Sequence, residues 1–312
     1  MKTVFIVGAG ASVPYGLPTG MELRDLIKQD LPLDFHVVDG GTPEERKYNQ
    51  SIIQKNFDDF QIAFEKAYST IDQFISERRK FEQISTRLIA AYLLPLELEA
   101  LQKKVLADNW LGWICQKWHN NKNLFLRNVE FITFNYDRII EYGLYSHVCN
   151  SMEGMTFEVL HQRLPITVRH VHGKFALPID ARFITGRAHA YLSKYSSVDC
   201  KKAAEGLCLL RRNNDNHDDN QKPSLPEMVE GADCIVFLGF GFDEANLRLL
   251  GFNGINNHTP KNSNSSRLIY ASAYGMTQIE KQAARKQIGQ DVTFGDSTQD
   301  CLAVLREYVD WL

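Results

Sequence analysis

Asn135 and Asp137 stand two residues apart in Thr133-Phe134-Asn135-Tyr136-Asp137, directly after an apolar run, and His170 and His172 stand two apart after another. An amide at the end of a buried strand can hold a hydroxyl or order a water. A carboxylate there can face a ligand or cap the following helix, and an imidazole can act as a general base near neutral pH. His172, followed by Gly173, has the position of a base, whereas His170, further inside its run, reads as a hydrogen-bonded structural histidine. H-x-H is also a metal pair. No third or fourth ligand follows at a recognisable spacing, however, and none of the six cysteines (Cys115, Cys149, Cys200, Cys208, Cys234 and Cys301) forms a C-x-x-C pair. No metal is therefore expected.

Two glycine clusters have the chemistry of anion sites. Gly8-Ala9-Gly10-Ala11-Ser12 follows the apolar run at 3–7, and Gly239-Phe240-Gly241-Phe242-Asp243 follows the run at 234–238. A glycine turn after a buried strand lets backbone N–H groups approach a phosphate, and a second such turn suits a ribose or the far phosphate of a dinucleotide. Thr19 and Glu22 have capping-box spacing, so a helix should start beside the first turn. The dehydrogenase fingerprint is incomplete: Val13 stands where a third glycine belongs, and no acidic residue closes an early second strand.

The elements that must position these residues are legible as apolar runs. Strands are expected over 3–7, 129–134, 166–171, 234–238, 267–271 and 291–294, and helices over 20–29, 138–147, 244–250, 277–287 and 299–311. The strand runs are nearly continuous rather than alternating, which fits a mainly parallel sheet covered on both faces. Strand and helix in alternation predict an α/β, Rossmann-like doubly wound fold with ligands beyond the carboxyl ends of the strands. One domain, 1–312, is expected, with a large helical insertion at about 43–125 between the first two strands. Ile53, Phe57, Phe60, Phe64, Tyr68, Ile71 and Phe74 recur at helical steps and predict one amphipathic helix serving core or a subunit interface. A second helical segment runs over 84–118, with Pro95 as a kink or break. The polar stretches 211–220 and 256–266 read as loops.

Bulk properties narrow the function classes. The chain has 312 residues, 44% hydrophobic and 23% charged, with a net charge of −3. That balance lacks the basic footprint of a direct nucleic-acid binder, and the run 77–80 reads as a solvated helix face. No apolar run approaches the ~20 residues of a membrane helix, and the apolar stretch at 3–7 is too short for a signal peptide. A cytoplasmic protein with free thiols is expected.

The ordered set Gly8-Ala9-Gly10-Ala11-Ser12 with Gly16-Leu17-Pro18-Thr19, then Thr133-Phe134-Asn135-Tyr136-Asp137, then His172-Gly173, then Gly239-Phe240-Gly241 resembles the motifs of the sirtuin-like family, over residues 4 to about 272. The resemblance implies NAD as substrate and cleavage of its nicotinamide–ribose bond. It places Gly8, Ala9, Gly10 and Ser12, with Thr19 nearby, at the pyrophosphate, and Gly239, Gly241 and Ser272 on the adenosine side. Asn135 would hold the nicotinamide ribose and a water, Asp137 would face the carboxamide, and His172 would be the base. Protein-deacetylating sirtuins carry a cysteine-pair zinc domain that is missing here, and Phe134 and Gly241 replace their usual Gln and Ser. The chain is more similar to the sirtuin-like NAD hydrolases of bacterial anti-phage systems, which deplete NAD and work in assemblies or with a partner. That likeness implies a homo-oligomer larger than a dimer, or a partner such as a hexameric DNA-translocase ATPase or an argonaute-type protein. Phe57, Phe60, Phe64, Phe74, Trp110, Trp113 and Trp118 of the insertion are expected to supply part of the subunit contact. A zinc-free deacylase and a non-catalytic nucleotide sensor are the alternatives.

Overall fold

A computed structural model of the chain describes residues 1–29, 42–103, 108–120, 128–151, 167–176, 197–209, 223–252 and 267–309. The expected loops at 211–220 and 256–266, and parts of the insertion at 104–107 and 121–127, lie outside them. Six strands are present: β1 Thr3–Val7, β2 Val129–Thr133, β3 Val168–His170, β4 Cys234–Leu238, β5 Leu268–Ala271 and β6 Thr293–Phe294. They form one sheet of order β3-β2-β1-β4-β5-β6, parallel at every pairing. That is the doubly wound, Rossmann-like arrangement, with the strand order reversing between β1 and β4. The helices are α1 Gly20–Gln29, α2 Pro43–Glu65, α3 Ile71–Glu77, α4 Glu82–Lys103, α5 Trp110–Asn120, α6 Ile139–Ser151, α7 Ser197–Ala204, α8 Leu225–Glu230, α9 Glu244–Leu249, α10 Gln278–Ile288 and α11 Cys301–Tyr308. The chain also turns through a 3-10 helix, Ala9–Tyr15, directly after β1.

Each face of the sheet has its own core, which is why the central strands β1 and β4 read as nearly unbroken apolar runs. Phe5, Val7, Phe131, Val236 and Leu238 pack on one side with Trp110 and Ile114 of α5, Ile139 of α6 and Leu305 of α11. Val4, Ile6, Ile132, Ile235 and Phe237 pack on the other with Met228 of α8, Leu247 of α9 and Ala284 of α10. The insertion builds a third core of its own. Phe57, Phe60, Phe64, Phe74 and Phe81 cluster there with Leu23 and Ile27 of α1 and the apolar face of α4, and this core reaches Tyr136 and Phe175 beside the sheet.

The insertion departs from expectation in three ways. The single helix predicted through Phe74 is two, α2 and α3. Thr70 and Gln73 form a reciprocal capping box that restarts the helix, and Arg24 and Lys28 of α1 hold the Tyr68 and Ala67 carbonyls in the break. Tyr68, counted in the stripe, is therefore outside it and 90% exposed. Pro95 does not end its helix: α4 runs through it. An interior proline costs about 3 kcal/mol, and burial of Leu93, Leu94, Leu98 and Leu101 offsets that. Finally, Phe57, Phe60, Phe64, Phe74 and Trp110 are buried within the chain itself, so these rings offer no surface to another subunit. The side chain of Trp118 lies outside the described residues.

Candidate functional site

The two glycine turns meet at the switch point of the sheet, where ligands of such folds bind. Gly8 N–H donates to the Leu238 carbonyl at 2.9 Å and Gly10 N–H to the Gly239 carbonyl at 3.0 Å. The backbones are too close for side chains. A Cβ on Gly8 would lie 2.5 Å from the Gly239 carbonyl oxygen, and one on Gly239, at φ +57, would lie 1.9 Å from Ala11 N. Ser272 Oγ accepts the Gly239 N–H at 2.8 Å and so holds the second turn in place from the end of β5. The amides of Gly8, Gly10 and Gly239 thus bind protein acceptors. Ala9 N–H, at the start of the 3-10 helix, keeps no protein acceptor among the described residues. Gly241 has nothing within 4 Å of its Cβ position and lines open space.

Asn135, Ser12 and Asp137 form one buried chain of hydrogen bonds. Asn135 Nδ2 donates to the Gly8 carbonyl at 3.1 Å and to Ser12 Oγ at 2.9 Å, and Ser12 Oγ donates to Asp137 Oδ2 at 2.9 Å. A carbonyl only accepts, so the Gly8 contact fixes which end of the amide is nitrogen. Asn135 Oδ1 is then buried with no partner among the described residues. The other oxygen of Asp137 accepts the Ile139 N–H at 3.2 Å in the first turn of α6, so the carboxylate caps that helix and anchors Ser12 rather than standing open to a ligand.

The two histidines have different surroundings. His170 Nδ1 lies 2.9 Å from the Asn135 carbonyl and Nε2 lies 3.0 Å from Glu141 Oε1, which also takes Lys174 Nζ at 2.9 Å. This is the structural histidine expected from sequence, and it holds the backbone of the site asparagine. The strand ends at His170, earlier than predicted, so His172 lies in the turn before Gly173, which has φ +75. Its ring meets Phe134 edge-on at 5.7 Å and Tyr136 at 6.4 Å, and its nitrogens make no hydrogen bond to the described residues. A free imidazole on an aromatic wall is available for proton transfer.

Insertion residues complete the frame. The Tyr136 hydroxyl donates to Asp72, and the neighbouring Gln73 donates to Asp243 Oδ2 at 2.7 Å, so the first turn of α3 ties the loop after β2 to the loop after β4. Glu97 of α4, wholly buried, takes Arg138 Nη2 at 2.6 Å and the Arg138 backbone N–H at 2.6 Å. Trp110 Nε1 donates to the Ala11 carbonyl at 2.7 Å and fixes the 3-10 helix. Thr19 is committed to capping α1, giving its N–H to Glu22 at 2.7 Å and accepting the Glu22 N–H at 3.3 Å.

The two buried carboxylates respond to pH in opposite directions. Burial, then the negative charge of Glu97, pushes Asp137 from 3.8 up to about 6 against the opposing pull of Ser12, the Ile139 N–H and His170. Burial also pushes Glu141 up, but His170 and Lys174 outweigh it and hold the carboxyl down at about 2. A raised carboxyl contributes most below its unfolded value, so Asp137 destabilises the fold as pH rises from 3.8 through about 6. Glu141 stabilises above 4.5 and loses that contribution as pH falls towards 2. Asp137→Asn cannot ionise, so its stability relative to the native chain should climb by about 2 kcal/mol between about pH 4 and pH 7. Chemical denaturation at both values reads this, and a constant difference would show that Asp137 ionises at its ordinary pH.

Sequence reasoning found the strand-end residues but missed Asp72, Gln73, Glu97 and Glu141. Glu141 had a signal, one helical turn after Asp137, whereas the others act across long stretches of chain. Among the described residues no three His, Cys, Asp or Glu side chains group as metal ligands, and no helix is long and apolar enough to cross a membrane. Cys115, Cys234 and Cys301 are buried free thiols. The fold and the crevice define a Rossmann-like α/β protein. Compared with models of known families and with curated proteins, the chain matches none.

Proposed function

We propose that this chain hydrolyses NAD+ at the nicotinamide–ribose bond, giving nicotinamide and ADP-ribose. The observation that carries the reading is Asn135: its amide nitrogen is fixed by Gly8 and Ser12, and its Oδ1 is buried without a partner among the described residues. A buried acceptor left open in a folded protein calls for a water or a ligand hydroxyl. It sits where the loops after β1, β2 and β4 converge, and the ordered motifs of the chain resemble those of sirtuin-like NAD hydrolases.

Cleavage of such an N-glycosidic bond passes through an oxocarbenium-like state, as in glycoside hydrolysis. The bond electrons leave with nicotinamide, and water adds to the ribose carbon and loses a proton. In this reading Asn135 Oδ1 accepts from that water or from a ribose hydroxyl, and His172 takes the proton. Asp137 acts through Ser12, by fixing the hydroxyl that holds Asn135. Ala9 N–H faces the pyrophosphate, and Gly241 leaves room on the adenosine side. The cellular role that accompanies this chemistry is NAD depletion in anti-phage defence, in a homo-oligomer or under control of a partner such as a translocase ATPase or an argonaute-type protein.

The test is incubation of the purified chain with NAD+ and measurement of free nicotinamide and ADP-ribose. We expect both products in equal amounts. Binding of NAD+ without cleavage, alone and with the product of a neighbouring gene, would replace hydrolysis by nucleotide sensing.

A further inference from the structure

Helix α2 has two opposite faces, and the structure uses only one. Phe57, Phe60 and Phe64 turn into the third core, while residues 42–52 are all exposed, so the first half of the helix packs on none of the described elements. Opposite the phenylalanines, Tyr48 is 68%, Ile52 41% and Ile62 70% exposed. With 3.6 residues per turn, Tyr48, Ile52, Lys55, Asp59 and Ile62 fall within about 80° of one another. Their spacings are 4, 3, 4 and 3, and Glu45 and Lys66 extend the alternation at either end. That is the 3-4 spacing of a two-stranded coiled-coil seam, here with apolar residues flanking a charged centre. Helices rarely persist in water without tertiary packing on one face, and this stretch has none from the described residues.

The seam is self-complementary in one orientation. Laid antiparallel about a two-fold axis, Ile52 meets the second copy's Ile62 and Lys55 meets its Asp59. Tyr48 meets its Lys66, a cation over an aromatic ring. Every pairing occurs twice. A parallel pair in register would instead set Lys55 against Lys55 and Asp59 against Asp59. The charge order therefore selects both the partner and the direction. We propose that α2 is a docking surface for α2 of a second copy of this chain, paired antiparallel through Ile52–Ile62 and Lys55–Asp59. The inference is independent of the proposed NAD chemistry, because none of these side chains lies at the strand ends. One helix pair buries less than the ~800 Å² per partner of a standard interface, so the contact should be weak, with dissociation in the micromolar range. A two-fold pair gives a dimer, and an assembly larger than that needs a second surface.

Exposed substitutions keep the fold intact and make the register testable. Sedimentation of the native chain across a dilution series should show reversible dimerisation. Lys55→Glu, which sets Glu against Asp59, should weaken it at least tenfold, and adding Asp59→Lys to that variant should restore it. For geometry, Ile52→Cys and Ile62→Cys variants are oxidised separately and mixed. Only the mixture should cross-link above the native background, because two copies of position 52 lie ten residues, about 15 Å, apart along the seam. A native chain monomeric at every concentration overturns the proposal. So does dimerisation indifferent to Lys55→Glu, or cross-linking of Ile52→Cys alone to the same extent as the mixture.

Discussion

Asn135→Ala and His172→Ala should each reduce nicotinamide release by about 10²- to 10⁴-fold, the range for losing a positioned proton-transfer or water-ordering group. The two variants separate chemistry from folding differently. His172 has no hydrogen bond to the described residues, so its loss should leave the melting temperature nearly unchanged while turnover falls. Asn135 holds Gly8 and Ser12, so its loss should also lower stability, by about 1–3 kcal/mol for a buried donor pair. His170→Ala should show the reverse balance. It leaves Glu141 with Lys174 alone and costs about 2–3 kcal/mol, with a smaller effect on turnover. Steady-state kinetics and thermal melts of the three variants decide the matter. Full activity in His172→Ala, beside loss in a well-folded His170→Ala, would assign the base to the other histidine.

The largest effect on stability is expected at Gly239. An alanine there must adopt φ +57 and place its Cβ 1.9 Å from Ala11 N and 2.3 Å from Gly10 C, so the two turns would have to separate. Left-handed backbone strain costs about 1–2 kcal/mol and overpacking a further 1–3, a large share of the 5–15 kcal/mol that holds a typical domain together. Gly241→Ala is the matched control. It meets no atom within 4 Å and should change stability by no more than about 0.5 kcal/mol. Any rise in KM for NAD+ in that variant would report a ligand lying over Gly241. Urea denaturation of the pair gives the comparison, and equal stabilities would mean that the turns are not in contact in solution.

The centre of the sheet was legible because β1 and β4 are buried on both faces and so spell uninterrupted apolar words, Val4-Phe5-Ile6-Val7 and Ile235-Val236-Phe237-Leu238. The strand-end residues followed from that, since the fold itself directs ligands to those ends. The insertion was harder to read. Its phenylalanine stripe has the helical period, but the period says nothing about the break at Thr70, which depends on a cap and on Arg24 and Lys28 from α1. Nor does the period say whether a stripe faces another subunit or its own chain. The same limit applies to Asp72 and Gln73, whose partners Tyr136 and Asp243 are 64 and 170 residues away. Glycine spacing suggested phosphate contact, and the structure gives those glycines a more immediate reason: two backbones pass within van der Waals reach of each other.

The central position of β1 also governs when the site can exist. It precedes both of its neighbours in the sheet, β2 and β4, and the Gly8 turn rests on Gly239. More than a hundred residues must leave the ribosome before β1 meets β2, and about as many again before β4 arrives, at roughly 5–20 residues per second. A nascent or truncated chain therefore carries the glycine turn, the asparagine and both histidines without the second turn that sets their spacing. On the proposed function, NAD+ hydrolysis would in this way be silent during synthesis of the chain, and every fragment that stops before β4 would be inactive.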